Sequence, residues 1–220
     1  RRAQFFVAVA PRGAFGLAMC TDAFMFIWMK RLFVGEMFRA VEGSARATVL
    51  ISHAHNQLVW SPSHGQPLSP DGYRDLFETL EPRLFGEAGL FADVLAGGPL
   101  DLARRDSPAA LDSDPALVCI ASRDTTVFRP HVLDPSPGMT GVLRLNPLYH
   151  AEPLGDRVRL RLQFPTEDYE QEFGACRQYL PDEVVVEQAA LAALGTGPLP
   201  PAMADLVRRR VILDLPLRYY

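Results

Sequence analysis

Several features that mark common classes of protein are scarce or missing in this sequence. Its 220 residues include three cysteines, an odd number without paired spacing, which excludes a disulfide framework. Cys20 and Cys119 lie in apolar runs and are expected to be buried as small hydrophobic residues, which predicts a reducing, cytoplasmic location. No stretch reaches the roughly 18 consecutive apolar residues of a membrane span, so no membrane insertion is expected.

The sequence has fewer basic than acidic residues, and it has almost no lysine. The formal net charge is -4, and Lys30 is the only lysine among 22 basic residues. This balance argues against a nucleic-acid partner, because such binding depends on neutralising phosphates. The sequence also lacks a G-x-S-x-G motif and a cysteine with an evident histidine partner, so acyl-transfer chemistry finds no support.

What is present is an α/β pattern. Two apolar runs, GLAMC (16–20) and ATVLI (47–51), flank a helical stripe of apolar residues between Phe26 and Val41. Continuous apolar runs predict strands buried on both faces, and strand–helix–strand order predicts a right-handed parallel unit. ALVCIAS (116–122) predicts a further buried strand. The expected fold class is therefore α/β with an incomplete parallel sheet.

The pattern changes in the last third of the chain. RVRLRLQF (157–164) alternates strictly, which predicts a half-exposed strand. Thr166 is expected to cap a helix that runs to about Tyr179, and a second helix is expected from Pro181 to about Leu194. The organisation expected is an α/β domain over 1–123, a linker over 124–141 and a small α+β accessory module over 142–220.

One segment carries a family resemblance. CTDAFMFIWMKRLFVGEMFRAVEGSARATVLISHAHN (20–56) resembles the second half of a class I S-adenosylmethionine-dependent methyltransferase, a Rossmann-like fold. In that family the fourth strand ends in an acidic or polar residue, here Asp22, and an arginine-containing turn precedes the fifth strand. The similarity continues through PLSPDGYRDLFE (67–78) to ALVCIAS (116–122). It implies S-adenosylmethionine as cofactor, bordered by Asp22, Ala23 and Phe24.

The resemblance has one clear departure. Family members bind the cofactor at a glycine-rich turn after the first strand, where backbone N–H groups and a helix N-terminus face the ligand. The only G-x-G here is Gly195-Thr196-Gly197, which follows a helical segment and precedes prolines, the wrong context. We therefore expect the first strands of the fold to be absent or altered, as in a fragment that is only the C-terminal part of an enzyme.

Polar residues at the end of the ATVLI strand are the candidate catalytic groups. Ligands of open α/β sheets bind at the carboxyl ends of strands. His53 or His55 could act there as general base, with Asn56 and Trp60 lining the substrate pocket. The alternative is a polar strand end that hydrogen-bonds its own loop. Asp22 is equally well interpreted as the N-cap of the following helix.

A metal site is not expected. His-x-His at a strand end occurs in metal-dependent hydrolases, but such a site needs further ligands. The sequence has no His-Glu-x-x-His motif and no acidic partner at a matching spacing.

Two functions remain open. The first is a methyltransferase-like protein that acts on a small molecule, with His53 or His55 removing the acceptor proton. The second is a non-catalytic relic or companion subunit, which would bind a protein partner or a second copy of itself through the C-terminal module. A sheet edge left open by missing strands would favour such association.

Overall fold

The computed structural model describes residues 11–77, 80, 82–133, 141–195 and 201–216, without the side chain of Ala202. The chain divides into two compact units, one of residues 1–90 with 101–131 and the other of residues 91–100 with 132–220. Residues 134–140 of the expected linker and Gly197 lie outside the described residues. None of the described helices is long and apolar enough to cross a membrane.

The first unit is built on a mixed sheet. The helices and strands between residues 11 and 131 are listed here in chain order; α3 and β4 extend into residues 91–100, which belong to the second unit. They are β1 (Leu17–Thr21), α1 (Lys30–Val41), β2 (Thr48–His55), α2 (Pro70–Asp75), β3 (Arg83–Gly86), α3 (Glu87–Leu95), β4 (Leu100–Asp101), α4 (Pro108–Ser113), β5 (Ala116–Ser122) and β6 (Pro130–His131). The strand order in the sheet is β1-β2-β5-β3.

Strand direction places three strand ends at one edge of this sheet. β1 and β2 are parallel and joined by α1, which confirms the expected strand–helix–strand unit. β5 is antiparallel to both β2 and β3, so the sheet is parallel only in part. Because β2 and β3 are both opposed to β5, they run in the same direction, as does β1. The carboxyl ends of β1, β2 and β3 therefore lie at the same edge.

Burial distinguishes the middle of the sheet from its edge. All seven residues of β5 are buried, as the continuous apolar run predicts. β1 contradicts the same prediction, because Leu17 and Met19 are more than half exposed. The physical reason is position: Leu17 and Met19 lie on the face of β1 opposite the buried Cys20, and among the described residues only β2 lies beside β1. The main core gathers on one sheet face around Phe24, Val49, Ile51, Ala54, Tyr73, Leu117 and Cys119.

The second unit contains β7 (Val142–Leu145), β8 (Tyr149–Leu154), β9 (Arg157–Leu162), α5 (Glu167–Phe173), β10 (Glu183–Glu187), α6 (Gln188–Ala192), α7 (Ala204–Arg208) and β11 (Ile212–Leu215). Its strands form the antiparallel sheet β10-β9-β8 and the pair β11-β7. β9 buries Val158, Leu160 and Leu162, which confirms the alternation in the sequence.

Two helix predictions in this unit have different outcomes. The Thr166 hydroxyl accepts a hydrogen bond from the Tyr169 N–H, so the predicted cap is confirmed, although α5 ends at Phe173 and a 3-10 turn follows. The helix expected from Pro181 to about Leu194 is wrong over its first part, and within that range the structure has a helix only at α6, Gln188–Ala192. Glu183–Glu187 is the strand β10, because three consecutive valines favour extended backbone and pair with β9.

Candidate functional site

Polar side chains from three strands meet at the shared carboxyl edge of the main sheet. Asp22 follows β1, His53 and His55 end β2, and Glu87 follows β3 as the first residue of α3. Such an edge is where open α/β sheets bind ligands. We call Asp22, His53, His55 and Glu87 the edge cluster.

A β-bulge in β2 sets the direction of the two histidines. Ile51 pairs with Cys119 and Ala54 with Leu117, so β2 has one residue more than β5 over this interval. The buried positions of β2 shift accordingly, from Val49 and Ile51 to Ala54. His53 would fall on the core face of a regular strand, and the bulge removes it from that face. Its φ of 48° is a left-handed conformation that non-glycine residues adopt rarely, and often at functional sites.

Glu87 holds His53 in place. The His53 backbone N–H donates to Glu87 Oε1 at 3.1 Å, and His53 Nδ1 lies 2.5 Å from Glu87 Oε2. Because a carboxylate can only accept, this contact places a proton on Nδ1 and orients Nε2 as the second ring nitrogen. The His53 side chain is 30% exposed, whereas that of Glu87 is 13% exposed. The arrangement is a partly exposed histidine fixed by a less exposed carboxylate.

Asp22 lies on the other side of the His53 ring. Its Oδ1 is 3.9 Å from His53 Nε2, and its φ of 49° is also left-handed. The Asp22 N–H donates to Ser52 O at 3.1 Å, which extends the β1–β2 pairing by one residue. The N-cap interpretation of Asp22 is wrong. The next turn begins after Ala23 and α1 begins after Met29, and neither has a side-chain cap.

His55 forms the inner side of the edge cluster. It is buried, its Nδ1 lies 3.2 Å from Ser61 Oγ, and its ring meets that of His53 edge-on at 5.7 Å. The buried Tyr73 hydroxyl donates to the His55 carbonyl at 2.8 Å and anchors this end of β2. One ligand atom each from Asp22, His53 and His55 lies within 4.8 Å of the others.

Two residues expected at the site have other roles. Phe24 is fully buried in the core against Phe33 and Tyr73, so it is no part of an exposed cofactor surface. Asn56 is equally buried, and its amide donates to the carbonyls of Leu111, Asp112 and Asp114. These bonds fix the loop before β5. The Asn56 Oδ1 also accepts from the Leu58 N–H at 3.0 Å, the contact within its own loop that the alternative of a polar strand end predicts. Ala23 and Trp60 are exposed.

The acidic residues behind His53 were not predicted from the sequence. Glu87 follows the strand RLFG directly, and an acidic residue after a strand was the available signal. Behind it lies Asp114, whose pKa rises to about 6 because of burial, opposed by hydrogen bonds from the N–H groups of Ala116 and Ala88 and reinforced by Glu87 and Asp106. Asp106 accepts from the Gly86 N–H at 2.7 Å. These carboxyl groups all come from the part of the chain between the predicted strands ATVLI and ALVCIAS.

Apolar side chains project from the loops beside the edge cluster. The loop after β1 exposes Phe26, Trp28 and Met29, and the loop after β2 exposes Leu58 and Trp60. Large exposed apolar side chains near a polar site are typical of the walls of a ligand site. We call these five residues the apolar rim.

Comparisons with known proteins assign no family to this chain, so a functional proposal has to rest on the geometry of the site. No family model, no curated protein and no solved structure matches the chain.

Proposed function

We propose that this chain carries the acceptor-binding side of an S-adenosylmethionine-dependent methyl transfer to a small molecule. The observation that carries the proposal is the His53–Glu87 pair at the carboxyl edge of two parallel strands. A histidine whose Nδ1 is held by a carboxylate presents Nε2 as a general base, the group that takes the proton from an acceptor hydroxyl or amine. In this arrangement Glu87 is a positioning residue for His53.

The order of elements supports the same proposal. A strand followed by Asp22, a crossover helix, a parallel strand that ends in the two histidines, and then a helix occur in the order of the family that the sequence resembles, with β3, α3, β4 and α4 between that helix and the last strand. The apolar rim fits an acceptor with a flat or apolar body, which Trp60 would contact. Holding such an acceptor close to a methyl donor supplies much of the rate of a two-substrate reaction.

The cofactor itself fits only in part. Asp22 and Ala23 are exposed at the strand end, as a bordering role requires, but Phe24 is not. Among the described residues, none of the β1, β2 and β3 ends has a G-x-G turn after it to receive the methionine carboxylate. The mechanism proposed for this chain is therefore limited to its own residues: the apolar rim positions the acceptor, and His53 removes its proton.

Calorimetric titration with S-adenosylmethionine and S-adenosylhomocysteine tests the cofactor requirement. We expect both compounds to bind the folded chain saturably. Once a methyl acceptor is identified, we expect H53Q to lower kcat about 100-fold, within the usual range for a lost general base. H150Q is the matched control, since His150 lies exposed on β8 in the other unit. A folded chain that binds neither compound would contradict the proposal.

A second candidate function rests on a different observation. The outer edge of β1 is unpaired among the described residues, and Phe15, Leu17 and Met19 are about half exposed beside it. An open edge with apolar side chains favours pairing with another chain, as in a companion subunit. Sedimentation of the wild type and of M19K separates the candidates. A companion subunit loses an association when Met19 becomes charged, whereas the methyl-transfer proposal expects H53Q, and not M19K, to lower kcat.

A further inference from the structure

The edge cluster brings together ligand types that no single sequence segment contains. Asp22 comes from the end of β1, and His53 and His55 come from the bulged end of β2. Their nearest ligand atoms lie within 4.8 Å of one another, and His53 Nε2 is 3.9 Å from Asp22 Oδ1. In a tetrahedral site with metal–ligand bonds of about 2.0–2.1 Å, the ligand atoms lie about 3.3 Å from one another. Small rotations of the three side chains would bring their ligand atoms to this separation.

Two imidazoles and one carboxylate define the kind of ion. Imidazole nitrogen suits zinc and other divalent transition metals, whereas magnesium and calcium prefer oxygen alone. Two histidines with one carboxylate leave positions open for a water molecule or a substrate atom, which is the pattern of a catalytic rather than a structural site.

Glu87 supplies the support that a metal-binding histidine usually has. Metal-ligating histidines donate their other ring N–H to a carboxylate or carbonyl, which fixes the ring and raises its basicity. His53 meets this requirement through Nδ1 and Glu87 Oε2 at 2.5 Å. His55 has a corresponding contact between Nδ1 and Ser61 Oγ at 3.2 Å. For His53 the Nδ1 contact leaves Nε2 as the nitrogen that faces Asp22.

We propose that Asp22, His53 and His55 form a binding site for one divalent transition-metal ion, of which Zn²⁺ is the reference, with Glu87 as the positioning residue of His53. The ion would bind an oxygen of the acceptor or a water molecule in its open position and lower the pKa of that oxygen. His53 cannot bind the ion and act as a free base at once, so metal-loaded and metal-free chains would activate the acceptor differently. The proposal concerns binding of the ion and stands independently of methyl transfer.

The test is titration of the chelator-treated 220-residue chain with Zn²⁺ alone, followed calorimetrically. We expect one ion per chain. D22N is the most informative variant, because the Asp22 side chain is 67% exposed and its substitution does not alter the core. It should weaken Zn²⁺ binding at least 10-fold, and E87Q should weaken it about 10- to 100-fold, as loss of a supporting partner does elsewhere. H53Q should weaken binding more than either.

H150Q is the control, and thermal melts of each variant establish that it is folded. Co²⁺ provides a second measurement that does not depend on affinity, because its visible absorption reports coordination by the protein. An intense tetrahedral spectrum in the wild type that disappears in folded D22N and H53Q supports the site. Stoichiometric Zn²⁺ binding that D22N, E87Q and H53Q leave unchanged, or no binding by the folded wild type, overturns it. Loss of S-adenosylmethionine binding with Zn²⁺ binding retained would refute the proposed function and leave this site intact.

Discussion

Strands β2 and β9 occupy corresponding places in the two units, and they differ in regularity. β9 pairs with a strand on each side without interruption, and its outward arginines lie opposite Glu152, Glu183 and Glu187. β2 is interrupted by a bulge and by a left-handed histidine near its carboxyl end. Every residue of β9 is paired in the sheet. The last residues of β2 depart from the regular pattern, and they include His53 and His55 of the edge cluster.

The difference is one of backbone strain at the end of β2. Left-handed backbone costs roughly 1–2 kcal/mol for an ordinary residue and persists where surrounding contacts enforce it. Asp22 and His53 are two of the three non-glycine residues with positive φ among the described residues, and they are neighbours at one edge. The third, Arg210, lies in the second unit, away from any cluster of this kind.

The largest stability effect is expected in β9. Leu160 is fully buried in the core of the second unit, so L160A should lower the free energy of unfolding by about 2–5 kcal/mol through lost burial and a cavity. Urea denaturation measures it. I51V, just before the bulge in β2, is the smaller matched change and should cost about 0.5–1.5 kcal/mol. A cost for L160A below 1 kcal/mol would contradict the assignment of β9 to a packed core.

The next largest effect depends on pH. Burial raises the pKa of Asp114 from 3.8 to about 6, so the folded state holds this proton more tightly than the unfolded state. Stability from this group is fully present below pH 3.8 and is lost as the pH rises to about 6. The shift corresponds to up to about 3 kcal/mol. Relative to D114N, the wild type should therefore lose stability between pH 4 and pH 7, as urea melts at both values would show. A difference that is constant with pH would refute the shift.

A smaller effect of opposite sign is expected at Asp22. Glycine adopts the left-handed conformation without strain, so D22G should leave stability unchanged or raise it by up to about 1 kcal/mol while it removes a ligand from the edge cluster. Thermal melts and Zn²⁺ titration of the same sample give both numbers. R210G is the control, because it relieves similar strain in the second unit without changing the cluster. Marked destabilisation by D22G would show that Asp22 has a structural role.

The smallest effect is expected on the arginine face of β9. Arg159 Nε lies 3.2 Å from Glu183 Oε1 at a partly exposed position, and such pairs contribute under about 1 kcal/mol. R159Q should therefore cost less than 1 kcal/mol, and less again in 1 M salt. Denaturation at two salt concentrations checks this. A cost of several kcal/mol would mean that the face is a buried ion network and that the contrast with β2 is overstated.

Local patterns predicted much of the fold. The parallel β1–β2 unit, the buried β5, the Thr166 cap and the alternating β9 follow from apolar periodicity and capping chemistry, which operate within a few residues. The failures also have local causes. Three valines override an expected helix in β10, and exposure of Leu17 and Met19 depends on what lies beside β1, which composition does not encode.

Only part of the candidate site could be predicted from the sequence. His53, His55 and Asp22 stand at strand ends that the sequence marks, so their presence at one edge follows from strand direction. The bulge, which turns His53 away from the core, is a long-range feature of pairing with β5. The role of Glu87 likewise depends on the position of β3 in the sheet. The absence of an acidic partner at close sequence spacing argued against a metal site, whereas the fold brings Asp22 and Glu87 to the histidines from other strands.

Nuclear magnetic resonance of the chain labelled with ¹⁵N at histidine tests the central claim, that Glu87 fixes His53 as the functional group of this edge. We expect the His53 ring to carry its proton on Nδ1, in a slowly exchanging, downfield-shifted signal that H53Q removes, E87Q shifts and H150Q leaves in place. A His53 ring protonated on Nε2 alone, with a spectrum that E87Q leaves unchanged, would contradict the account.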